Sequence, residues 1–192
     1  MEAPLIALRV YDANDDEPAM IAAAVAGKRE ARTWLVNQWT PPVWRFCRRM
    51  LANDEDAQDA AQETLVKVLR HLSLYDPGRS FTTWVFGIAR NTCIDEHRRR
   101  SRRSWEEPRE VPDPRASPWQ QAEASERASL LSSALAELPE MYREILILYH
   151  FEHLKYHEIA EVLEVPMGTV MNRIFRARKK LRAGYEERGG EP

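Results

Sequence analysis

The sequence predicts an all-α fold of two small helical domains joined by a flexible linker, and three observations predict it. Apolar residues recur at helical spacing over most of the chain, no segment reads as a strand, and a run of Arg, Glu, Pro and Ser from Ser101 to about Ser117 interrupts the helices. At 192 residues, 44% hydrophobic and 30% charged, the chain can bury a core, but 12 prolines and a polar middle divide it. The boundaries fall as an acidic N-terminal extension (1–17), a first domain (18–103), a linker (104–118), a second domain (119–188) and a short tail (189–192).

The first helix should run from about Pro18 to Thr40, with Ala22, Val25, Trp34, Leu35 and Val36 as its apolar positions. Pro41-Pro42 suits a first turn and not an interior, so a second helix should begin there and carry Val43, Trp44, Phe46, Cys47, Met50 and Leu51. Asn53 or Asp54 caps a third, about Glu55 to Leu72. Its inner face is Ala57, Ala60, Ala61, Leu65, Val68, Leu69 and Leu72, and its acidic first turn is favoured by the helix dipole. After a turn over Tyr75-Asp76-Pro77-Gly78-Arg79-Ser80, a fourth helix runs from Phe81 to about Arg103, apolar through Trp84, Val85, Ile88, Ala89 and Ile94 and then strongly basic. Trp44 and Trp84 should pack the core. Helical spacing returns at Trp119, is reset by Pro139, and continues through three more helices.

The net charge of -2 hides a segregation. Arg98, Arg99, Arg100, Arg102 and Arg103 form one basic cluster, and Arg173, Arg176, Arg178, Lys179, Lys180 and Arg182 another. Acids gather at Asp12 to Glu17 and at Asp54, Glu55, Asp56 and Asp59. Cys47 and Cys93, the only cysteines, sit in apolar helical patterns and read as buried thiols, too few for a disulfide framework or a cysteine-based zinc site. No apolar run approaches the ~20 residues of a membrane span, and Met1 to Glu17 lacks a secretory signal, so a cytoplasmic protein with no direct membrane insertion is expected.

Tyr156 to Ile174 has the plan of a helix-turn-helix. Ile159, Ala160, Leu163, Val170 and Ile174 would pack the two helices together, Val165-Pro166 ends the first, and Thr169 caps or opens the second. The basic run that follows, Phe175 to Arg182, would flank a major groove and hold its phosphates.

Val165-Pro166-Met167-Gly168-Thr169-Val170, followed by Asn172-Arg173-Ile174-Phe175-Arg176-Ala177-Arg178-Lys179-Lys180-Leu181, resembles region four of the extracytoplasmic-function (ECF) sigma factors of bacterial RNA polymerase. Asp56 to Thr64, Phe81 to Asn91 and Ile94-Asp95 resemble their region two, in the family's order and spacing. The resemblance implies a non-enzymatic subunit that binds core RNA polymerase, at the large-subunit clamp helices and the flap, and recognises double- and single-stranded promoter DNA. It also implies control by an anti-sigma factor.

Carried over residue by residue, the resemblance puts polymerase docking on Asp59, Gln62 and Glu63, where charges sharing a helix face can steer a basic surface. A solvated helix start accounts for the same charges. The minus-ten element would be read as single strand by Asp76, Ser80, Phe81 and Thr82 around a flipped base, with Asn91, Asp95, His97 and Arg98 to Arg100 further along. Met171, Asn172, Phe175 and Arg176 would read bases of the minus-thirty-five element, and Thr169, Arg173, Arg178 and Lys179 would hold phosphates. Phe175 neighbours Ile174 on an amphipathic helix and serves either the DNA or the core. The sequence departs from the family pattern at Met171 (commonly basic), Asn172 (commonly Ser), His153 and Lys155 (commonly Gly and Ser), so promoter sequence does not transfer.

His150, His153 and His157 invite a metal reading, but His153 should fall in a turn and the three need not share a face; no metal or cofactor is expected. An enzyme has little support, with no glycine-rich phosphate loop and no nucleophile beside a recognisable base. The competing reading is a stand-alone dimeric helix-turn-helix transcription regulator, which would bind palindromic half-sites and would leave the region-two block without a purpose.

Overall fold

The computed structural model describes residues 17–106 and 126–190, and among these there is no strand. The helices are α1 (Glu17–Val25), α2 (Arg29–Leu51), α3 (Asp54–His71), α4 (Phe81–Glu106), α5 (Glu126–Ala136), α6 (Glu140–Leu146), α7 (Tyr156–Leu163) and α8 (Met167–Glu186). A 3-10 turn, Leu72–Leu74, follows α3, and a π-helical stretch, Ile147–Phe151, continues α6. The predicted acidic extension before Glu17, most of the linker and the helix start at Trp119 lie outside the described residues.

Two expectations about the first fifty residues are corrected. The single helix expected from Pro18 to Thr40 is broken at Gly27, whose φ of 88° lies in the left-handed region that glycine alone enters without strain. Arg32 then donates from Nε to the Ala24 carbonyl at 3.1 Å, satisfying an end group of α1. Conversely, the expected break at Pro41-Pro42 is absent, and α2 runs through both prolines. An interior proline costs about 3 kcal/mol. Against that, Leu35, Trp39, Val43, Phe46, Cys47 and Met50 form one continuous stripe on both sides of the prolines, each at most 1% exposed. Every large apolar side chain in such a stripe contributes roughly 1.5–3 kcal/mol, so tertiary burial outweighs the local penalty. Trp44 falls one position off this stripe and is 38% exposed, not core as expected.

Helix α3 begins where the composition placed it. Asn53 accepts the Asp56 N–H on Oδ1 at 2.9 Å, and Asp54, Glu55 and Asp56 fill the first turn. Ala57, Ala60 and Ala61 are buried and small, letting α3 approach α2 closely. Helix α4 brings Phe86 against Trp39 and Phe46, with ring centroids 6.0 and 5.2 Å apart, and runs past the predicted end at Arg103. Cys47 and Cys93 are free and fully buried. A hydrogen bond to Cys47, together with burial, pushes the Cys93 thiol well above its ordinary pKa.

The C-terminal unit is built on Ile145, Leu146, Ile147, Leu148, Ile159, Val170 and Ile174, all 2% exposed or less. It sits directly on the N-terminal unit, and buried residues of both form one continuous cluster. Three arginines mark the junction. Arg90 Nε on α4 lies 2.7 Å from Glu144 Oε2 on α6. Arg143 donates to the Met50 carbonyl at 2.6 Å and to the Leu138 carbonyl at 3.0 Å, and His97 Nε2 of α4 lies 3.4 Å from the same Met50 carbonyl, so the end of α2 is covered from both units. The Arg49 guanidinium stacks 4.2 Å over the Phe151 ring.

Glu152 lies beside this junction, buried, 3.7 Å from Arg49, with Oε1 making no hydrogen bond. At that distance the guanidinium does not replace the lost hydration, and burial pushes the carboxyl up from 4.5 to about 7, against the opposing pull of Arg49 and Arg45. The neutral form is therefore favoured by folding. Its contribution is complete below pH 4.5 and is lost as pH rises to about 7, above which a constant penalty remains. Glu152→Gln is accordingly expected to raise the unfolding midpoint above pH 7 while leaving it unchanged near pH 4.5. Thermal melts of both proteins across that range check this, and parallel curves would contradict the burial argument.

Candidate nucleic-acid interface

Three surfaces carry the residues singled out from the sequence. On α3, Asp59 and Gln62 are exposed and Glu63 is half-buried. Val66 lies beside them on the same helix, 46% exposed, an apolar surface residue that its spacing of three to four positions from Gln62 and Glu63 could have signalled. Glu63 is held by Lys67 at 2.9 Å and by Arg99 of α4 at 3.1 Å, and the hydrogen bond from Lys67 is the main reason its carboxyl titrates below the usual range. An expected docking residue and an expected DNA residue are thus ion-paired to one another.

The second surface is the turn before α4 and that helix's outer face. Asp76 turns its carboxylate back onto the Gly78 N–H at 2.9 Å, and Tyr75 Oη donates to the Arg79 carbonyl at 2.7 Å, so the turn is internally braced. Ser80 Oγ accepts the Thr83 N–H at 3.3 Å at the start of α4. Phe81 is 6% exposed, locked edge-on between Trp39 at 5.4 Å and Tyr75 at 4.9 Å, and is mainly a core residue.

Asp76, Ser80, Phe81 and Thr82 do not converge on one pocket. Phe81 and Thr82 line a cleft of about 470 Å³ with Ile21, Val25 and Tyr75. Ser80 lines a second, of about 230 Å³, with Thr83, Trp84 and Asn91. Ser80, Thr83, Trp84, Gly87, Ile88 and Asn91 follow helical spacing along one face of α4. Trp84 and Ile88, expected to be core, are only partly buried there, and an unbroken apolar pattern in the sequence conceals that difference. Further along, Asp95 and Arg98 face each other at 3.7 Å, Arg99 also reaches Glu96 at 3.2 Å, and Arg100 reaches Asp56 at 3.1 Å.

The third surface is α8. Pro166, not Thr169, stands at the helix start, and Thr169 lies in the first turn. Glu164, at φ 53°, reverses the chain out of α7. Val170, Ile174 and Ala177 point inward. Met171, Asn172, Phe175 and Arg176 all point outward, Phe175 at 71% exposure, so the alternative that Phe175 packs the core is corrected. Thr169, Asn172, Arg173 and Arg176 line an open cleft of about 400 Å³ beside Met141 and Tyr142. Arg173 lies 3.9 Å from the buried Glu144. Arg178 stacks 5.1 Å over Tyr149 and donates to His150 Nε2 at 3.4 Å, while Lys179 is exposed. His153 adopts the left-handed conformation in the turn before α7.

Residues 35–103 match the family model of Sigma-70 region 2, and residues 128–181 that of Sigma-70, region 4. The ECF RNA polymerase sigma factor SigE of Mycolicibacterium smegmatis is 36% identical, the match covering 90% of this chain and 65% of SigE. SigM of Bacillus subtilis, another ECF RNA polymerase sigma factor, is 32% identical over 74% of this chain and 88% of its own. The chain belongs to the ECF sigma factor family. It spans slightly less than two thirds of SigE but most of SigM.

The same fold appears in CnrH, solved in complex with the cytosolic domain of CnrY. CnrH is 26% identical, the match covers 88% of this chain and 96% of CnrH, and the TM-score is 0.66. In sigma-factor terms, α2 to α4 form region two, and α5 to α8 form region four around the helix-turn-helix of α7 and α8.

The exposure of Phe175 makes a simple stability test available. Phe175→Ala is expected to change unfolding free energy by no more than about 0.5 kcal/mol, whereas the neighbouring Ile174→Ala should cost about 2–5 kcal/mol. Urea denaturation of the two variants distinguishes a surface aromatic from a core one.

Proposed function

We propose that this ECF sigma factor is an alternative sigma factor that binds core RNA polymerase, recognises minus-ten and minus-thirty-five promoter elements and promotes promoter melting. The observation that carries the reading is the conjunction on one chain of a region-two scaffold and a region-four helix whose base-reading side chains point outward.

In this reading the α3 face bearing Asp59, Gln62, Glu63 and Val66 docks on the polymerase clamp helices, its acids steering a basic surface and its valine supplying apolar contact. Phe81 and Thr82 at one cleft, and Ser80 and Asn91 at the other, take the single-stranded minus-ten element, whose phosphates meet Arg98 and Arg99. Asp76 braces the turn and Asp95 positions Arg98. In the minus-thirty-five major groove Asn172 pairs with adenine, Arg176 with guanine, and Met171 and Phe175 touch thymine methyls. Thr169, Arg173, Arg178 and Lys179 grip the flanking phosphates.

No helix among the described residues is long and apolar enough to cross a membrane, and we place the protein in the cytoplasm. CnrH was solved with a partner's cytosolic domain bound, which supports an anti-sigma factor for this chain too, possession of a membrane anchor being the partner's affair. The dimeric-regulator alternative is disfavoured because it assigns no role to residues 35–103, which match region two.

Transcription in vitro with sigma-free core polymerase on a pool of genomic promoters tests the proposal. Starts that depend on the protein and share a two-part promoter are expected. Glu63→Ala should weaken binding to core without altering promoter preference. Arg176→Ala should relax preference at one guanine by about 1–3 kcal/mol, and Lys179→Ala should weaken all promoters alike and lower the salt slope by about 1. Absence of any dependent start, with dimeric binding to a palindrome, would replace this reading by the regulator.

A further inference from the structure

On α8 most cations have a carboxylate neighbour, but Arg178 is held by neutral groups. Arg182 pairs with Glu186 at 2.7 Å, and Arg173 lies 3.9 Å from Glu144. Arg178 instead stacks 5.1 Å over the Tyr149 ring and donates from Nε to His150 Nε2 at 3.4 Å.

Both holders come from one local device. Tyr149 and His150 are consecutive, and consecutive residues of an α-helix do not face the same neighbour. They lie, however, in the π-helical stretch Ile147–Phe151, where the turn is wider and the Glu152 N–H reaches back to the Ile147 carbonyl at 3.1 Å. The two rings meet edge-on, centroids 4.8 Å apart, and both reach Arg178. Tyr156, in the first turn of α7, packs its ring 5.4 Å from that of Tyr149 and braces it.

The hydrogen bond fixes the state of the imidazole. To accept at Nε2, His150 must be neutral with its proton on Nδ1. Partial burial, with Arg178 and His153 close by, holds its pKa below the ordinary histidine value, so the neutral form prevails at pH 7. An aromatic face and a neutral imidazole restrain the guanidinium without cancelling its charge. Because the imidazole takes the Nε–H, the two Nη groups remain to meet a phosphate in bidentate fashion. A carboxylate in the same place would have to be given up first.

We propose that Tyr149 and His150 are positioning residues for Arg178, holding its guanidinium, with its charge and both Nη groups available, for a backbone phosphate of the minus-thirty-five element. The proposal rests on α8 being the helix that reads that element. Ordering the arginine in advance spares binding the loss of its rotamer freedom.

The test reconstitutes the full chain with core polymerase and measures affinity for a fluorescent duplex carrying a promoter found by transcription in vitro, over a range of salt. Arg178→Ala should weaken binding and lower the salt slope by about 1, as loss of one phosphate contact requires. His150→Ala should weaken binding about two- to tenfold, the cost of ordering one long side chain, and leave the slope unchanged because Arg178 keeps its charge. In the Arg178→Ala background, His150→Ala should cost nothing further. His150→Gln, whose amide oxygen can accept from Nε, should restore most of the affinity, and Tyr149→Phe, which keeps the ring, should retain it.

Nitrogen NMR of the labelled full chain without DNA reads the geometry by itself. The imidazole signals removed by His150→Gln should be those of a ring protonated at Nδ1, and Arg178→Ala should abolish that preference. A ring protonated mainly at Nε2 in the unaltered protein overturns the hydrogen bond and the proposal with it.

Equal losses from His150→Ala with and without Arg178 overturn the positioning role, and so does no loss in either background. If Arg178→Ala changes neither affinity nor slope while Arg176→Ala still relaxes promoter preference, the phosphate contact is overturned and the minus-thirty-five reading stands. If neither arginine matters, that reading fails and takes the proposal with it. His150 is exposed, so its substitution leaves the fold intact, and the decisive comparison needs no variant of the half-buried Tyr149.

Discussion

Helix α2 carries the mechanical burden of this molecule. Helices α1, α3 and α4 pack along it, and its C-terminal end meets α5, α6 and the π-helical stretch, so both units take their position from one rod. That rod must stay straight enough to present a single buried stripe although two prolines remove two of its backbone donors. The freed carbonyls belong to Asn37 and Gln38, which are exposed and so open to solvent rather than enclosed in the core. Prolines one position further along, at 42 and 43, would instead have freed the carbonyl of Trp39, a residue 1% exposed.

Around this apolar frame the charges are mostly spoken for. Glu63 holds Arg99, Asp56 holds Arg100, and Glu144 stands between Arg90 and Arg173. The basic clusters are thus not simply free cations awaiting phosphate. Engaging a partner means exchanging one ionic neighbour for another, and the net change in each exchange is smaller than the bare attraction suggests. Arg99 is shared between Glu63 and Glu96, so loss of the Glu63 contact would still leave it one carboxylate neighbour.

How much of this was legible in the sequence depended on the scale of the signal. The Asn53 cap, the alanine face of α3 and the alternation of buried and exposed positions on α8 are local properties, and each was readable from spacing. The path of the chain at residues 26–42 was misread because turn chemistry was weighed against the wrong competitor. A lone Gly27 ended a helix that periodicity would have continued, while two prolines failed to end one whose stripe was buried on both sides. The resemblance located the candidate site, yet it could not show that Phe81 belongs mainly to the core or that Asp76 turns back on its own loop. Least visible was the seating of region four on region two, which depends on Arg49, Arg90 and Arg143 finding partners 54 to 103 positions away.

Cys47 and Cys93 sit fully buried on α2 and α4, at the centre of that frame, with the Cys93 thiol held protonated. A water-borne alkylating reagent needs a thiolate within reach, and the burial of both sulfurs denies it that reach. Modification of these sulfurs must therefore wait for α2 and α4 to part, which turns the rate of thiol capture into a clock for opening of the region-two core, indifferent to where region four happens to lie.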